Sequence, residues 1–520
     1  MNPAAGKNSK LVLAAMIFAV SMTFIDQTIV AIAIPTLQKD VHLSTTGTQW
    51  IINGYLLSLS ALFAFGGRLA DIAGHRRMVV CGVILFAVAS ALCGATPTGS
   101  GAEAWLITFR IIQGAGAAIM FPAALAIVLD TFPLAERGRA MAIFFAVAGG
   151  LTSIGPIAGG YLTEWTWRAI FWVNIPVAII ALFLTWRAKP DDSRHPAPLD
   201  YRGTLLACGG MGLLVLGLQQ SAIWGWSDVK TIASIVIGLA ILVYFVFDQL
   251  NATNPLLRLR IFEDRAFAVD NAILFFLMIP FVPLFFFASE YAQISLGESA
   301  SKTGLYLLIF FAGFATASQW GGKMLDRIGA RRPVVLGCAV AAVGFYLWGQ
   351  SLTHLSESEQ WYYIVIAGIG VGLVLSPANT DALNRVARNR YGEATGITQT
   401  VRNFGSSLGL AVLGSLLITQ NKSNLEATAA EHHVPKHVAD EIAGTISSGG
   451  ASEAPTGHLP HGIAAVVNNI PIDFAEATRD VFYGMAIVMA VAFIVALRWM
   501  PTGKVEPGDV PDEDPIAGPA

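Results

Sequence analysis

Stretches of about 20 residues nearly free of charge alternate with short clusters of charged and turn-forming residues along almost the whole chain. A helix rising 1.5 Å per residue needs about 20 apolar residues to cross about 30 Å of hydrocarbon, so each stretch predicts one membrane-spanning helix. The pattern predicts fourteen, over 11–35, 48–70, 77–96, 104–130, 139–162, 168–187, 203–222, 231–250, 266–288, 302–324, 333–351, 361–382, 393–419 and 480–500. Lys7 and Lys10 lead straight into the first stretch, which outruns a signal-peptide core and has no small-residue cleavage site, so it reads as a span. An even count puts both termini on one side. Most of the Lys and Arg fall in the segments on that side, for example Arg76-Arg77, Arg137 to Arg139 and Arg385 to Arg390, which makes it cytoplasmic. Two segments read as non-membrane. One is an outer loop over 420–479, whose His432, His433, His437, His458 and His461 fit a solvated loop better than a metal site. The other is the 501–520 tail, rich in proline and acid, which reads as disordered.

Composition narrows the classes. Only 13% of the 520 residues are charged and 54% are hydrophobic, whereas a water-facing surface needs roughly twice that charge density. A soluble enzyme is excluded, and a net charge of -3 offers no field for nucleic acid. Cys81, Cys93, Cys208 and Cys338 sit singly in apolar runs, without metal or redox spacing. HExxH is absent, and the acidic pair Asp191-Asp192 lies in a proline-rich linker, so membrane enzymology is not expected. GxxxxGK[ST] is also absent. Work done by this chain must draw on ions or on a partner, with no cofactor implied.

Gly66 to Val80 aligns with Gly321 to Val335 at eight of fifteen positions, and each copy sits at the cytoplasmic junction of two spans. Repeats in the same orientation mark transporters built from two homologous halves that rock about a central site. The expected fold class is an all-α polytopic membrane protein. Its halves are 1–187 and 266–500, and two extra helices lie in the linker 188–265.

The motif Gly67-Arg68-Leu69-Ala70-Asp71-Ile72-Ala73-Gly74-His75-Arg76-Arg77 resembles the loop 2-3 signature of the major facilitator superfamily. Ile25 to Val30 ending at Pro35, Arg110 to Gly114, Gly155-Pro156-Ile157-Ala158-Gly159-Gly160, and Trp167-Arg168 with Phe171, Asn174 and Pro176 resemble further motifs of its fourteen-span drug:proton antiporters. Two positions depart from the pattern: Leu151 replaces a glycine before Gly155, and His75 replaces the usual basic residue of the loop. The resemblance implies multidrug efflux driven by protons, across a prokaryotic cytoplasmic membrane.

An ionised, unpaired carboxylate inside hydrocarbon costs several kcal/mol, so an intramembrane acid is a functional candidate by default. Asp26 is the only acid of the first span, about 13 Å below its outer end, and Arg110 lies about 8 Å below the outer end of the fourth, near enough to couple. Asp26 is the expected proton carrier and Arg110 its tuning partner; a permanent ion pair that only locks helices is the competing reading. Glu290, at the outer end of the ninth span, is a second titratable candidate. Asn53, Tyr55, Gln113 and Gln293 fit cavity lining and helix gluing equally well. Arg402, about 14 Å into the thirteenth span, requires a partner or a wet cavity. Asp71 and Asp326 close the repeat motifs beside Arg76, Arg77, Arg331 and Arg332. There, with Gly67 and Gly74, they read as gates that make contact across the two halves. Gly155, Pro156, Gly159 and Gly160 form a small-residue face for a leak-tight helix crossing. With Asp26 and Glu290 the only acids facing the outer half of the cavity and Asp381 at the cytoplasmic end of its span, neutral or singly cationic lipophiles are the expected cargo. Protons and membrane lipids are the other partners, and nothing requires a second copy of the chain. The Phe-rich stretch 275–287 keeps export of a lipid-like envelope component as the alternative.

Overall fold

The computed structural model describes residues 3–99, 101–132, 140–141, 143–144, 147, 151, 154–190, 199–386, 391–435 and 461–503. Every regular element among them is helical: α1 (Pro3–Val41), α2 (Thr45–Ala73), α3 (His75–Gly94), α4 (Ala102–Thr131), α5 (Ile154–Trp165), α6 (Ala169–Ala188, interrupted after Trp172), α7 (Tyr201–Trp224), α8 (Val229–Asn251), α9 (Arg265–Ile294), α10 (Ala300–Ile328), α11 (Arg331–Leu352), α12 (Glu357–Asn384), α13 (Tyr391–Glu431) and α14 (His461–Trp499). A short 3-10 turn, Leu259–Glu263, joins α8 to α9. Thirteen of these helices are long and apolar enough to cross a membrane. The exception, α5, is the described end of the expected 139–162 span.

Local chemistry sets the boundaries. Ser44, Asp200, Asp228, Asp264 and Ser299 cap α2, α7, α8, α9 and α10, each accepting a backbone N–H of the first turn. At the junctions α2–α3 and α10–α11, Gly74 (φ 101°) and Gly329 (φ 81°) take a backbone conformation that only glycine adopts without strain. They stand 255 positions apart, at matching places in the repeat. The segment 420–479, expected to be a loop, is helical at both ends, because polar groups at helical spacing join the extensions of α13 and α14. Thr428 donates to the Asp473 carboxylate at 2.9 Å and Asn424 to its carbonyl at 3.0 Å, over a small Leu425–Ile470 contact. His437, His458, the Asp191-Asp192 pair and the 504–520 part of the tail lie outside the described residues.

Between helices in lipid, close packing and hydrogen bonds replace the hydrophobic drive. Glycine supplies the proximity. A methyl group on Gly116 would stand 2.7 Å from the Phe86 nitrogen, and one on Gly344 would stand 2.6 Å from the Ala367 nitrogen, so α3–α4 and α11–α12 cross backbone to backbone. Trp167 and Arg168 both donate to Asp40, at 2.7 and 3.1 Å, and Asn174 donates to Ser90 at 3.0 Å, fastening α6 to α1 and α3.

The two linker helices sit on the outside. α8 packs on α7, and Val236, Val243 and Phe247 of its other face are exposed. α7 touches α2 and α13 together. Gln219 accepts from Asn53 of α2 at 2.6 Å, and the Ser221 and Ser415 hydroxyls of α7 and α13 meet at 2.6 Å. Asp200 ties the base of the pair, accepting from Gln249 at 2.7 Å and from the Leu256 backbone at 3.1 Å.

Candidate functional site

Asp26 of α1, Arg110 and Gln113 of α4, and Tyr55 of α2 meet in one buried cluster. Arg110 and Gln113 are three apart, on one face of α4, and both reach Asp26. Arg110 donates through Nη1 to Asp26 Oδ2 at 2.6 Å, and Gln113 donates through Nε2 to Oδ1 at 2.9 Å. The same guanidinium donates to Gln113 Oε1 at 2.8 Å and, through Nε, to the Ile51 carbonyl of α2 at 2.8 Å. Its Cζ lies 4.4 Å from the centre of the Tyr55 ring, a cation–π contact. The carboxylate thus has a donor on each oxygen, and the arginine keeps three neighbours besides the acid. Loss of the acid's charge would leave Arg110 held, though without its counter-ion.

The glycine face of α5 lies directly behind this cluster. A methyl group on Gly155 would collide with the Thr28 side chain, two residues beyond Asp26, and one on Gly159 would stand 3.0 Å from the Ile29 carbonyl. The opposite side of α5 presses on α10, where a methyl on Gly160 would stand 2.6 Å from the Ala300 carbonyl and one on Gly304 would collide with the Pro156 carbonyl. Glu164 extends this seam, accepting from the Ser301 backbone at 3.3 Å. Hydrogen bonds from Ser301 and Ser299 hold its exposed carboxyl below the usual carboxylate range. Gln293 closes the same end from α9, donating to the Ile32 carbonyl of α1 at 2.9 Å. It is therefore a link between halves at the outer seam.

The other predicted residues separate. Asn53 faces α7 and α13, donating to Gln219 and accepting from the Ser407 hydroxyl, so it glues three helices and does not join the Asp26 cluster. Glu290 is 7% exposed and has no hydrogen-bond or ion-pair partner among the described residues. Arg402 donates to Gln399 at 3.0 Å, leaves Nε buried and unsatisfied, and has no acidic partner among the described residues.

The described contacts of the repeat motifs each stay within one half. Asp71 pairs with His75, one turn on, at 3.1 Å, and the other nitrogen of that ring lies 3.7 Å from Asp130 of α4, so the contact stays inside the first six helices. The imidazole, short enough to sit between two acids, explains why a histidine suits this place. Asp326 is exposed and has no ion pair among the described residues, while Arg331 donates to the Leu497 carbonyl of α14 at 2.8 Å. Arg77 is exposed beside Arg76, and Gly67 packs against Pro122 of α4.

Sequence reading missed one group altogether. Asp270 of α9 is fully buried and lies close to the buried Asp381 of α12. A lone acid six residues inside a span was the available signal.

Comparison with known proteins is consistent across sequence and fold. The model of the Major Facilitator Superfamily matches residues 16–410. The tetracenomycin C resistance and export protein of Streptomyces glaucescens is 31% identical over 97% of this chain and 94% of its own. The multidrug resistance protein Stp of Mycobacterium tuberculosis is 32% identical over 92% and 90%. Among solved structures, a bacterial homologue of the human lysosomal transporter Spinster, inward-facing and unoccupied, superposes with a TM-score of 0.67 at 17% identity, covering 96% of this chain and 98% of that one.

Proposed function

Because the chain belongs to the Major Facilitator Superfamily, we propose that it exports lipophilic small molecules in exchange for protons, with Asp26 as the group that carries the proton. It is a multi-pass membrane transporter of the drug-efflux type. The names of its relatives support a small-molecule cargo: tetracenomycin C resistance and export, and multidrug resistance. The observation that carries the coupling reading is the Asp26 cluster, in which one ionisable carboxyl is gripped by two α4 side chains. Protonation removes the ionic part of that grip while Arg110, always charged, falls back on Gln113, the Ile51 carbonyl and the Tyr55 ring. The hold of α1 on α4 then depends on proton occupancy. Since Gly155 and Gly159 of α5 rest on the same turn of α1, a change there reaches the outer seam. One charge crossing 100 mV is worth about 2.3 kcal/mol, enough to concentrate a cargo tens-fold per proton. We place the protein in a prokaryotic cytoplasmic membrane with both termini inside, on the strength of the Lys and Arg bias. It needs no cofactor on this reading.

In proteoliposomes with an imposed pH gradient, addition of a lipophilic dye is expected to release protons from the vesicles, and the dye to move against its own gradient. No proton movement with any of a broad panel of lipophilic compounds would overturn the exchange. The panel includes lipid-like compounds, because Phe281 and Phe285 of α9 stack with Phe311 and Phe314 of α10 in an aromatic wall that suits them as well.

Cargo charge follows from the same inventory. Asp26 is occupied by Arg110, which leaves Glu290 as an acid without a partner among the described residues towards the outer end. A dication would enter with one charge uncompensated, at a cost of several kcal/mol. Matched monocationic and dicationic dyes should differ at least roughly tenfold in efflux rate, about 1.4 kcal/mol in barrier. Equal rates would sink this selectivity and require a further acid in the path.

A further inference from the structure

Asp270 lies six residues into α9 with its side chain fully buried, and neither carboxyl oxygen accepts a hydrogen bond among the described residues. On α12, Asp381, itself 1% exposed, is its buried acidic neighbour across the α9–α12 contact. Asp381 is held on its other side by Arg385, one turn on, which donates through Nε to Oδ2 at 2.7 Å. Among the described residues, the charged groups acting on Asp270 are Asp381, Arg385 just past the end of α12, and Asp264 before its own helix, whose carboxylate caps the Ala266 and Phe267 backbone. One turn before Asp270, Phe267 packs with Ala382, Val386, Ala394 and Ile397 of α12 and α13 in an apolar cluster.

Two carboxylates and one guanidinium would leave an uncompensated negative charge in this interior, with acceptor facing acceptor. Both faults are corrected by a single proton. Like charges this close cannot both persist in a low dielectric. A hydrogen on either acid makes it a donor to the other, and Asp381 keeps its bond to Arg385. We infer that Asp270 and Asp381 form a second proton-binding site, holding one proton between their carboxyl groups where α9 and α12 meet. It lies in the opposite half of the chain from Asp26 and towards the other face of the membrane. Its use in transport rests on the proton-exchange reading; its occupancy does not.

Proton occupancy can be read directly. Infrared difference spectra of the full-length protein in lipid nanodiscs, taken between neutral and alkaline pH in water and in deuterium oxide, report protonated carboxyl groups by their carbonyl stretch. The wild-type protein is expected to show a band that is lost in both Asp270→Asn and Asp381→Asn, and retained in Asp26→Asn and Glu290→Gln. A band unchanged in Asp270→Asn overturns the inference. So does failure of Asp270→Asn to fold, since an amide supplies the donor that the protonated acid would. No transport is measured, so a wild-type protein that exchanges no protons would refute the coupling reading and leave this site standing.

Discussion

Asp26→Asn is expected to abolish substrate-driven proton release in proteoliposomes while the protein remains folded. The amide cannot ionise, yet its oxygen still accepts from Arg110 in the place of Oδ2, and the guanidinium keeps the Ile51 carbonyl and the Tyr55 ring. The same variant separates the two roles open to the pair. If Asp26 and Arg110 are only a permanent lock, removing one charge strands the other and costs about 3–5 kcal/mol, a figure set by buried pairs broken at one partner. If the protonated state is visited in every cycle, the surroundings already tolerate a neutral side chain there, and the loss of stability is small. A thermal melt in detergent beside a proton-flux trace reads both quantities on one preparation. Unchanged flux in a folded Asp26→Asn protein would remove the residue from coupling.

Gly155→Val is expected to cost nearly all transport and to leave a proton leak. Its Cβ would fall on the Thr28 side chain, and α1 and α5 would have to separate at the turn next to Asp26. Overpacking of this kind costs about 1–3 kcal/mol, tolerable for a large membrane protein but ruinous for a seal. Dye counterflow in vesicles, with passive proton entry recorded without dye, tests it. Gly155→Ala should fall between wild type and Gly155→Val, because a methyl group brings the first contact and a branched chain adds two more atoms. Wild-type counterflow in Gly155→Val would show that the close crossing is dispensable.

The span pattern and the repeat were legible because a bilayer imposes length and apolarity on every crossing helix, whatever its partners. The Asp26–Arg110 contact was legible for a related reason: two opposite charges at similar depth have few other places to go. Asp270 was not. It stands close to the end of its span, where charges ordinarily reach the membrane surface, and only the packing of α9 against α12 shows that its side chain is buried. Asn53 could not be assigned because its partner, Gln219, is 166 positions away in a helix outside the repeat. Asp71 and Asp326 occupy equivalent places in the repeat, yet only the first has an ion pair, from a histidine whose counterpart in the second copy is Ala330.

The position of α7 bears on how an oily molecule dissolved in the bilayer would come in. The two halves touch along two seams among others, one between α2 and α13 and the other between α5 and α10. The first is roofed by α7, bonded to both of its walls through Gln219 and Ser221, with α8 outside it. No helix covers the second among the described residues, and glycine contacts and Glu164 close one end of it. An oily molecule approaching sideways would meet α7 at the first seam and closely packed glycines at the second.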